Sequence, residues 1–138
     1  MMGPLGTEET FGSGVEPEGP APLLRLQKRP DFLAVNRGAR VVCAGFILLG
    51  RARSKPAPEG NAARAGITCS KKLGNAVQRN RAKRRLRALL REVLAPQAHA
   101  GWDYVLIGRP ERTTGLDYRT MASDLDRAML TLHGKARA

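Results

Sequence analysis

The chain is poor in the residue types that build most catalytic centres and disulfide frameworks. Its 138 residues include two cysteines and two histidines. Cys43 and Cys69 each lie in an apolar, strand-like segment, so we expect buried free thiols rather than a disulfide. His99 and His133 are far apart in sequence and are predicted to be separate surface residues. With no cluster of zinc-ligand spacing, the sequence predicts no catalytic residue and no metal site, which argues against a self-sufficient nuclease.

Long apolar runs and a secretory leader are also missing. No segment approaches the ~20 apolar residues that cross a bilayer, and the N-terminus lacks the basic and apolar regions of a signal peptide. We therefore predict a cytoplasmic protein with no membrane partner. Hydrophobic residues make up 42% of the chain but aromatic residues only 4%, so the expected core is mostly aliphatic.

Charge is plentiful and unevenly distributed. The formal net charge is +12, yet residues 1–22 contain four glutamates and no Lys or Arg. This segment is rich in Gly and Pro, which is typical of disorder. We predict a disordered acidic tail over 1–22, a single nucleic-acid-binding domain over 23–133 and a basic C-terminal tail over 134–138. The basic balance indicates a polyanionic partner.

Hydrophobic patterning predicts an α+β protein whose helices pack on one sheet. Gly45 interrupts the first strand and is interpreted as a bulge. The predicted elements, in order, are a helix over 30–36, a strand over 41–49, a loop over 51–64, a strand over 65–70, a basic helix to about Leu94, a strand over 102–108 and a helix over 116–132. Short extra strands near residues 39–42 remain open.

The basic helix is the most informative segment. Between Lys71 and Arg91 the chain has nine Lys or Arg residues and no Asp or Glu. Like charges four residues apart on a helix repel, and the pairs Arg81/Arg85, Lys83/Arg87 and Arg87/Arg91 cost roughly 1 kcal/mol in sum. A nucleic acid would supply the compensating charge.

On an ideal helix the segment divides into separate faces. Arg79 and Lys83 border the apolar stripe, where their stems can pack while their charges emerge beside the sheet. Arginine suits two-pronged phosphate contacts. The apolar stripe comprises Ala82, Leu86, Leu89, Leu90 and Val93, and the opposite face comprises Asn80, Arg81, Arg84, Arg87 and Arg91.

The turn before this helix has two interpretations. Gly74 and Asn75 follow Lys71 and Lys72, so backbone N–H groups at the helix start could hold a phosphate. An ordinary strand-to-helix turn requires the same glycine, and both interpretations remain open.

The residue order from Ser70 to Arg87, SKKLGNAVQRNRAKRRLR, closely resembles the signature of the bacterial ribonuclease P protein family. The hallmark is Arg79-Asn80-Arg81 in this context. The resemblance extends over about residues 23 to 132. It implies an α/β sandwich with a central, mostly antiparallel sheet and a left-handed strand–helix–strand crossover around the basic helix.

The resemblance also implies a function. The family acts with a catalytic RNA that uses Mg²⁺ to remove the 5′ leader from precursor tRNA, with one protein per RNA and no catalytic residue on the protein. A cleft between the sheet and the first helix binds the leader. The implied RNA-binding residues are Lys71, Lys72, Asn75, Arg79, Asn80, Arg81, Lys83, Arg84, Arg85 and Arg87. The implied leader-binding residues are Phe32, Val35, Phe46, Leu48 (or Leu49 in its place) and Arg109.

Two positions depart from the family. Asn36 and Leu49 stand where many members have aromatic residues, so leader binding is expected to depend more on Phe32 and on charge. From composition alone, a ribosomal or other structured-RNA-binding protein without a catalytic role is the alternative. A helix-turn-helix is not indicated, because strands flank the basic helix.

Overall fold

A five-stranded sheet with helices on both faces forms the domain. The computed structural model describes residues 23–54, 60–70, 72 and 74–137; the predicted acidic tail lies outside them. The strands are β1 (Leu23–Arg25), β2 (Ala39–Val42), β3 (Phe46–Ala52), β4 (Ala63–Thr68) and β5 (Trp102–Gly108). The helices are α1 (Arg29–Val35), α2 (Ala76–Leu89), α3 (Arg112–Gly115) and α4 (Tyr118–Arg137).

The sheet is mixed and has the order β1-β4-β5-β3-β2. β4 pairs in parallel with both β1 and β5, whereas β3 pairs antiparallel with β5 and β2. Half of the pairings are therefore parallel, where a mostly antiparallel sheet was expected. The predicted crossover is confirmed, since β4 and β5 are parallel neighbours connected through α2. Its left-handedness stays a prediction from the resemblance.

Successive side chains along each strand point to opposite faces of the sheet, and this separates two apolar clusters. The larger cluster lies on the face covered by α2 and α4, and includes Phe46 and Leu48 of β3. The smaller cluster lies beneath α1, where Leu49 and Val105 of the sheet pack with Leu26 and Val35. The core is mostly aliphatic, as predicted.

The apolar run from Val41 to Leu49 belongs to two strands, so the single strand predicted over 41–49 is wrong. The short extra strand left open near residues 39–42 is present as β2. β2 and β3 pair as an antiparallel hairpin, and Gly45 lies in its turn rather than at a bulge. A Cβ at Gly45 would lie 2.6 Å from Sδ of Met121. The close approach of α4 to this turn therefore requires glycine.

Helix α2 begins with a side-chain cap and ends in a change of helical type. The Asn75 side chain accepts a 3.0 Å hydrogen bond from the backbone N–H of Gln78, which satisfies one of the unpaired donors of the first turn. A π-helical turn (Leu90–Leu94) and a 3₁₀ turn containing Pro96 follow α2. α4 continues to Arg137, into the segment that was predicted to be a C-terminal tail.

A buried ion cluster connects β4, β5 and the loop after β3. Asp103 accepts hydrogen bonds from Arg53 at 2.6 Å and from Arg64 at 2.8 and 2.7 Å. The three side chains are 6–8% exposed. Arg64 also contacts the carboxylate of Asp31 on α1 at 3.3 Å. Buried charges need such partners, and the cluster fixes α1 to the sheet.

Candidate nucleic-acid interface

The outer face of α2 carries the exposed part of the basic segment. We use this name for Asn80, Arg81 and Arg84 of α2 together with Arg91 of the π-helical turn that follows it, which are all exposed. Their side chains lie opposite Ala82, Leu86 and Leu89, which are buried in the main core. The predicted division of the helix is confirmed at these positions. Arg87 is the exception, because it is half-buried and lies at the edge of the sheet.

Two of the predicted RNA-binding arginines hold neighbouring segments of the protein. Arg79 donates a 2.9 Å hydrogen bond to the carbonyl oxygen of Gly74. Arg85 donates from Nη1 to the carbonyl oxygens of Thr113 and Leu116, at 3.0 and 2.5 Å. These contacts fix the turn before α2 and the connection between α3 and α4. Each guanidinium retains other N–H donors, so the RNA-binding prediction for both residues stands untested.

The turn before α2 has the geometry of a strand-to-helix connection. Gly74 has a φ of +123°, and a Cβ there would lie 1.8 Å from Oε1 of Gln78. Glycine is therefore required by the backbone itself. Lys72 is exposed, and the side chain of Asn75 is engaged in capping. The predicted role of Lys71 falls outside the described residues, and phosphate binding at this turn stays a prediction.

A cationic groove lies at the edge of β4, beyond the end of the short strand β1. We call it the edge groove; its volume is about 210 Å³. Three cations from two elements line it, namely Arg25, Lys83 and Arg87, and none of its described lining residues is acidic. Its remaining lining residues are Leu26, Phe32, Ala65, Gly66, Ile67 and Leu90.

Sequence reasoning placed Lys83 beside the sheet correctly, but it missed Arg25 and Gly66 as site residues. Arg25 joins the groove through the pairing of β1 with β4. A three-residue strand has too little pattern to be recognised in the sequence. Gly66 and Ala65 face opposite sides of the sheet at β4. Gly66 matters because the ring of Phe32 packs against it, and the local sequence does not indicate this contact.

The predicted leader cleft is divided between the two faces of the sheet. Phe32 and Val35 belong to the cluster beneath α1, with Val35 fully buried. Phe46 and Leu48 are fully buried in the opposite cluster under α2 and α4. Their assignment to the cleft is therefore wrong. Ile47 of β3 and Ile107 of β5, both half-buried, occupy the α1 face instead.

Arg109 lies just after β5 and is engaged with the β2–β3 turn. Its Nη1 donates to the carbonyl oxygen of Cys43 at 2.6 Å and contacts that of Ala44 at 3.5 Å. The side chain of Thr113 accepts from the backbone N–H of Arg109 and donates to the carbonyl oxygen of Gly45. Arg109 thus closes the end of the hairpin, and its predicted leader contact stays untested.

The two histidines are not the separate surface residues that were predicted. The imidazole rings of His99 and His133 stack with centroids 3.5 Å apart and an interplanar angle of 7°. Nε2 of His133 lies 2.8 Å from Oη of Tyr104, and burial raises the pKa of that hydroxyl well above its ordinary value. The loop before β5 folds back onto the end of α4, a long-range contact without any local sequence signal.

Within the described residues, no group of three or more His, Cys, Asp or Glu side chains is arranged to hold a metal ion. None of the helices in that part of the chain is long and apolar enough to span a membrane.

Comparison with known proteins identifies the family. A model of the family described as Ribonuclease P matches residues 22–133. The ribonuclease P protein component of Ruegeria pomeroyi is 51% identical over 108 residues, which cover 78% of this chain and 85% of that protein. The ribonuclease P protein component of Paramagnetospirillum magneticum is 45% identical over 106 residues, covering 76% and 79% of the two chains.

Solved structures of RNase P proteins have the same fold as this chain. The RNase P protein from Thermotoga maritima superposes with a TM-score of 0.59 at 26% identity, covering 76% of this chain and 94% of that one. The Staphylococcus aureus RNase P protein gives a TM-score of 0.54 at 25% identity, with coverages of 81% and 94%. The alternative of a ribosomal or unrelated RNA-binding protein finds no support. The fold, the Arg79-Asn80-Arg81 helix and these matches together show that the chain belongs to the family of ribonuclease P protein subunits.

Proposed function

We propose that α2 serves two RNA strands at once. Its outer face binds the catalytic RNA of ribonuclease P, and the edge groove binds the single-stranded 5′ leader of precursor tRNA. The observation that carries this proposal is the division of one basic helix into an exposed arginine surface and a separate cationic groove that contains Phe32.

The outer face suits a structured RNA. Arg81 and Arg84 project from α2 and Arg91 from the π-helical turn that follows it. Guanidinium groups bind phosphate oxygens in two-pronged geometry. Asn80 lies between two arginines and offers both a donor and an acceptor to a 2′-hydroxyl or a base edge. A convex helical surface of this kind fits the grooves and backbone of a folded RNA.

The edge groove suits a single strand. Its half-buried ring, Phe32, provides a surface for base stacking, and Arg25, Lys83 and Arg87 provide charge for the phosphates. Stacking platforms combined with a cationic groove are the general means of binding single-stranded RNA.

The chemistry is proposed to reside on the RNA, with Mg²⁺ bound there and one protein per RNA. In the part of the chain that the structure describes, no group of acidic side chains fits a magnesium site. The buried carboxylate of Asp103 is engaged by Arg53 and Arg64, and Asp31 contacts Arg64. The protein's own contribution is to hold the two RNAs and to screen the repulsion between their backbones.

Reconstitution tests the role of the subunit. The catalytic RNA alone and the RNA with this protein are compared for leader removal at near-physiological Mg²⁺. We expect efficient cleavage only with the protein, whereas the protein alone leaves the precursor intact. Cleavage by the protein without RNA would contradict the proposal.

The two surfaces are separated by a matched pair of variants, one on α2 and one on the π-helical turn that follows it. Arg87 lines the groove, and Arg91, one turn later, is exposed on the outer face. Arg87→Ala should weaken binding of precursor tRNA, which carries the leader, and leave binding of mature tRNA unchanged. Arg91→Ala should weaken assembly with the catalytic RNA regardless of the leader. Equal effects of the two variants in both assays would refute the division.

A further inference from the structure

The absence of a side chain at Gly66 determines how deeply the ring of Phe32 lies against the sheet. A Cβ built at Gly66 would lie 2.6 Å from Cζ and 2.7 Å from Cε1 of Phe32, and 3.3 Å from Cβ of Leu26. Carbon atoms pack at about 3.5–4.0 Å. A methyl group at Gly66 and the tip of the Phe32 ring therefore compete for the same space.

A second contact from β4 holds the helix that carries this ring. Arg64 lies two residues before Gly66, on the same face of the strand. Its guanidinium contacts the carboxylate of Asp31, the residue adjacent to Phe32, at 3.3 Å. The same guanidinium is fixed by Asp103 through two shorter hydrogen bonds. The first turn of α1 is thus tied to the sheet beside the point where the ring meets Gly66.

We propose that Gly66 is a positioning residue for leader binding, acting through Phe32 while Arg64 holds α1 in place. This inference rests on the proposed leader site in the edge groove. Gly66 itself lines the groove, but its function is to leave room for the ring. A leader base then stacks on a ring whose depth and orientation are set by β4 rather than by α1 alone.

The proposal predicts a specific consequence of adding one methyl group. In Gly66→Ala the tip of the ring must move outward by about 1 Å to restore ordinary contact. The tip of a side chain moves more easily than backbone, so the variant should fold. The displaced ring narrows the groove and no longer matches the base, because stacking requires a defined separation and orientation.

A double-mutant cycle with Phe32 tests this mechanism. Gly66→Ala, Phe32→Leu and the double variant are each assembled with the catalytic RNA. Binding is measured for precursor tRNA with a leader of about five nucleotides and for mature tRNA. Gly66→Ala should weaken binding of the precursor about tenfold, the size of one lost stacking contact, and leave mature tRNA unchanged.

In the Phe32→Leu background the added methyl meets no ring tip, so Gly66→Ala should have no further effect on precursor binding. A full additional loss in that background would mean that the methyl group blocks the leader directly, and would overturn the positioning role. An equal loss for mature tRNA would overturn it as well, since the effect would then be general.

Gly50→Ala is the matched control. A Cβ at Gly50 would lie 2.4 Å from Cδ2 of Leu132, on the opposite face of the sheet. This variant should lower thermal stability without a leader-specific loss, and such a loss would refute the assignment to Gly66. If Phe32→Leu alone leaves leader discrimination intact, the leader site itself fails. If Phe32→Leu weakens precursor binding but the losses of the two single variants simply add in the double variant, only the role of Gly66 is refuted.

Discussion

Arg64 and Asp103 form a two-pronged ion pair between the neighbouring strands β4 and β5. Nε and Nη2 of Arg64 donate to the two carboxylate oxygens at 2.8 and 2.7 Å. Arg53 donates to the same carboxylate, so one buried anion pairs with two cations, and Asp31 supplies a second carboxylate contact to Arg64. Because removing one partner leaves buried charge without compensation, the cluster should be highly sensitive to substitution at Asp103.

Asp103→Ala should lower the free energy of unfolding by about 3–5 kcal/mol, measured by urea denaturation. Asp124→Ala is the control, because Asp124 pairs with Arg127, whose side chain is 71% exposed. An exposed pair contributes about 0–1 kcal/mol. Similar losses in the two variants would show that burial does not strengthen the Asp103 cluster.

Arg84 and Arg85 are adjacent in sequence but have different surroundings. Arg84 is exposed on the outer face, whereas Arg85 is hydrogen-bonded to the backbone of the α3–α4 connection. Arg85→Ala should lower the free energy of unfolding by about 1–3 kcal/mol, since two carbonyl groups lose a charged donor. Arg84→Ala should leave stability unchanged and weaken binding to the catalytic RNA.

Thermal unfolding and titration with the catalytic RNA separate the two effects. The combination that would contradict this distinction is a stable Arg85→Ala protein together with a destabilised Arg84→Ala protein.

Elements with a strong local signal could be predicted from the sequence. The strand over 102–108 is the observed β5, and α2 begins just after Gly74 and Asn75 and has its apolar stripe where the pattern indicated. The face of β3 could not be predicted, because Phe46, Ile47, Leu48 and Leu49 are all apolar. A central strand covered on both faces shows no alternation.

The residue order of the basic helix identified the family, but the edge groove depends on long-range contacts. Arg25, Phe32, Gly66 and Lys83 come from four elements, and nothing in their local sequence indicates that they meet. The pairing of β1 with β4 brings Arg25 to the groove, and the Arg64–Asp31 contact brings α1 to the sheet. Such sites follow from the fold rather than from a motif.

The two cysteines are free and half-buried, and they should react slowly with alkylating reagents. Burial raises the pKa of the Cys43 thiol from 9.0 to about 11, with a smaller contribution from Asp124. Burial also raises the pKa of Cys69. Near pH 8, Cys43 would have about 100-fold less thiolate than an unperturbed thiol. A thiolate with a higher pKa is more nucleophilic, and this offsets roughly tenfold of the loss in reactivity.

Alkylation of Cys43 by iodoacetamide should be at least about tenfold slower in the folded protein than in guanidinium. Mass spectrometry measures the two rates. The raised pKa of Cys43 also makes the stability of the folded protein depend on pH. Because the folded pKa is raised, the contribution of Cys43 is complete below pH 9 and declines as pH rises towards 11. Equal rates in folded and unfolded protein would disprove burial of the thiol.

The outer face of α2 should determine the salt dependence of binding to the catalytic RNA. Each phosphate contact to a duplex contributes about 0.9 to the slope of log affinity against log salt concentration. Replacing Arg81, Arg84 and Arg91 with Ala should therefore reduce the slope by up to about 2.7. Folding should be unaffected or slightly improved, since repulsion along the helix is relieved.

The control removes the same charge elsewhere, through alanine at Arg40, Arg119 and Arg127, which are exposed outside α2. This variant has the same net charge as the outer-face variant, so it should weaken long-range attraction equally. Its slope should nevertheless stay near that of the unmodified protein, because its arginines contact no phosphate. If both variants lose the same slope, binding depends on net charge alone, and α2 presents no specific surface to the RNA.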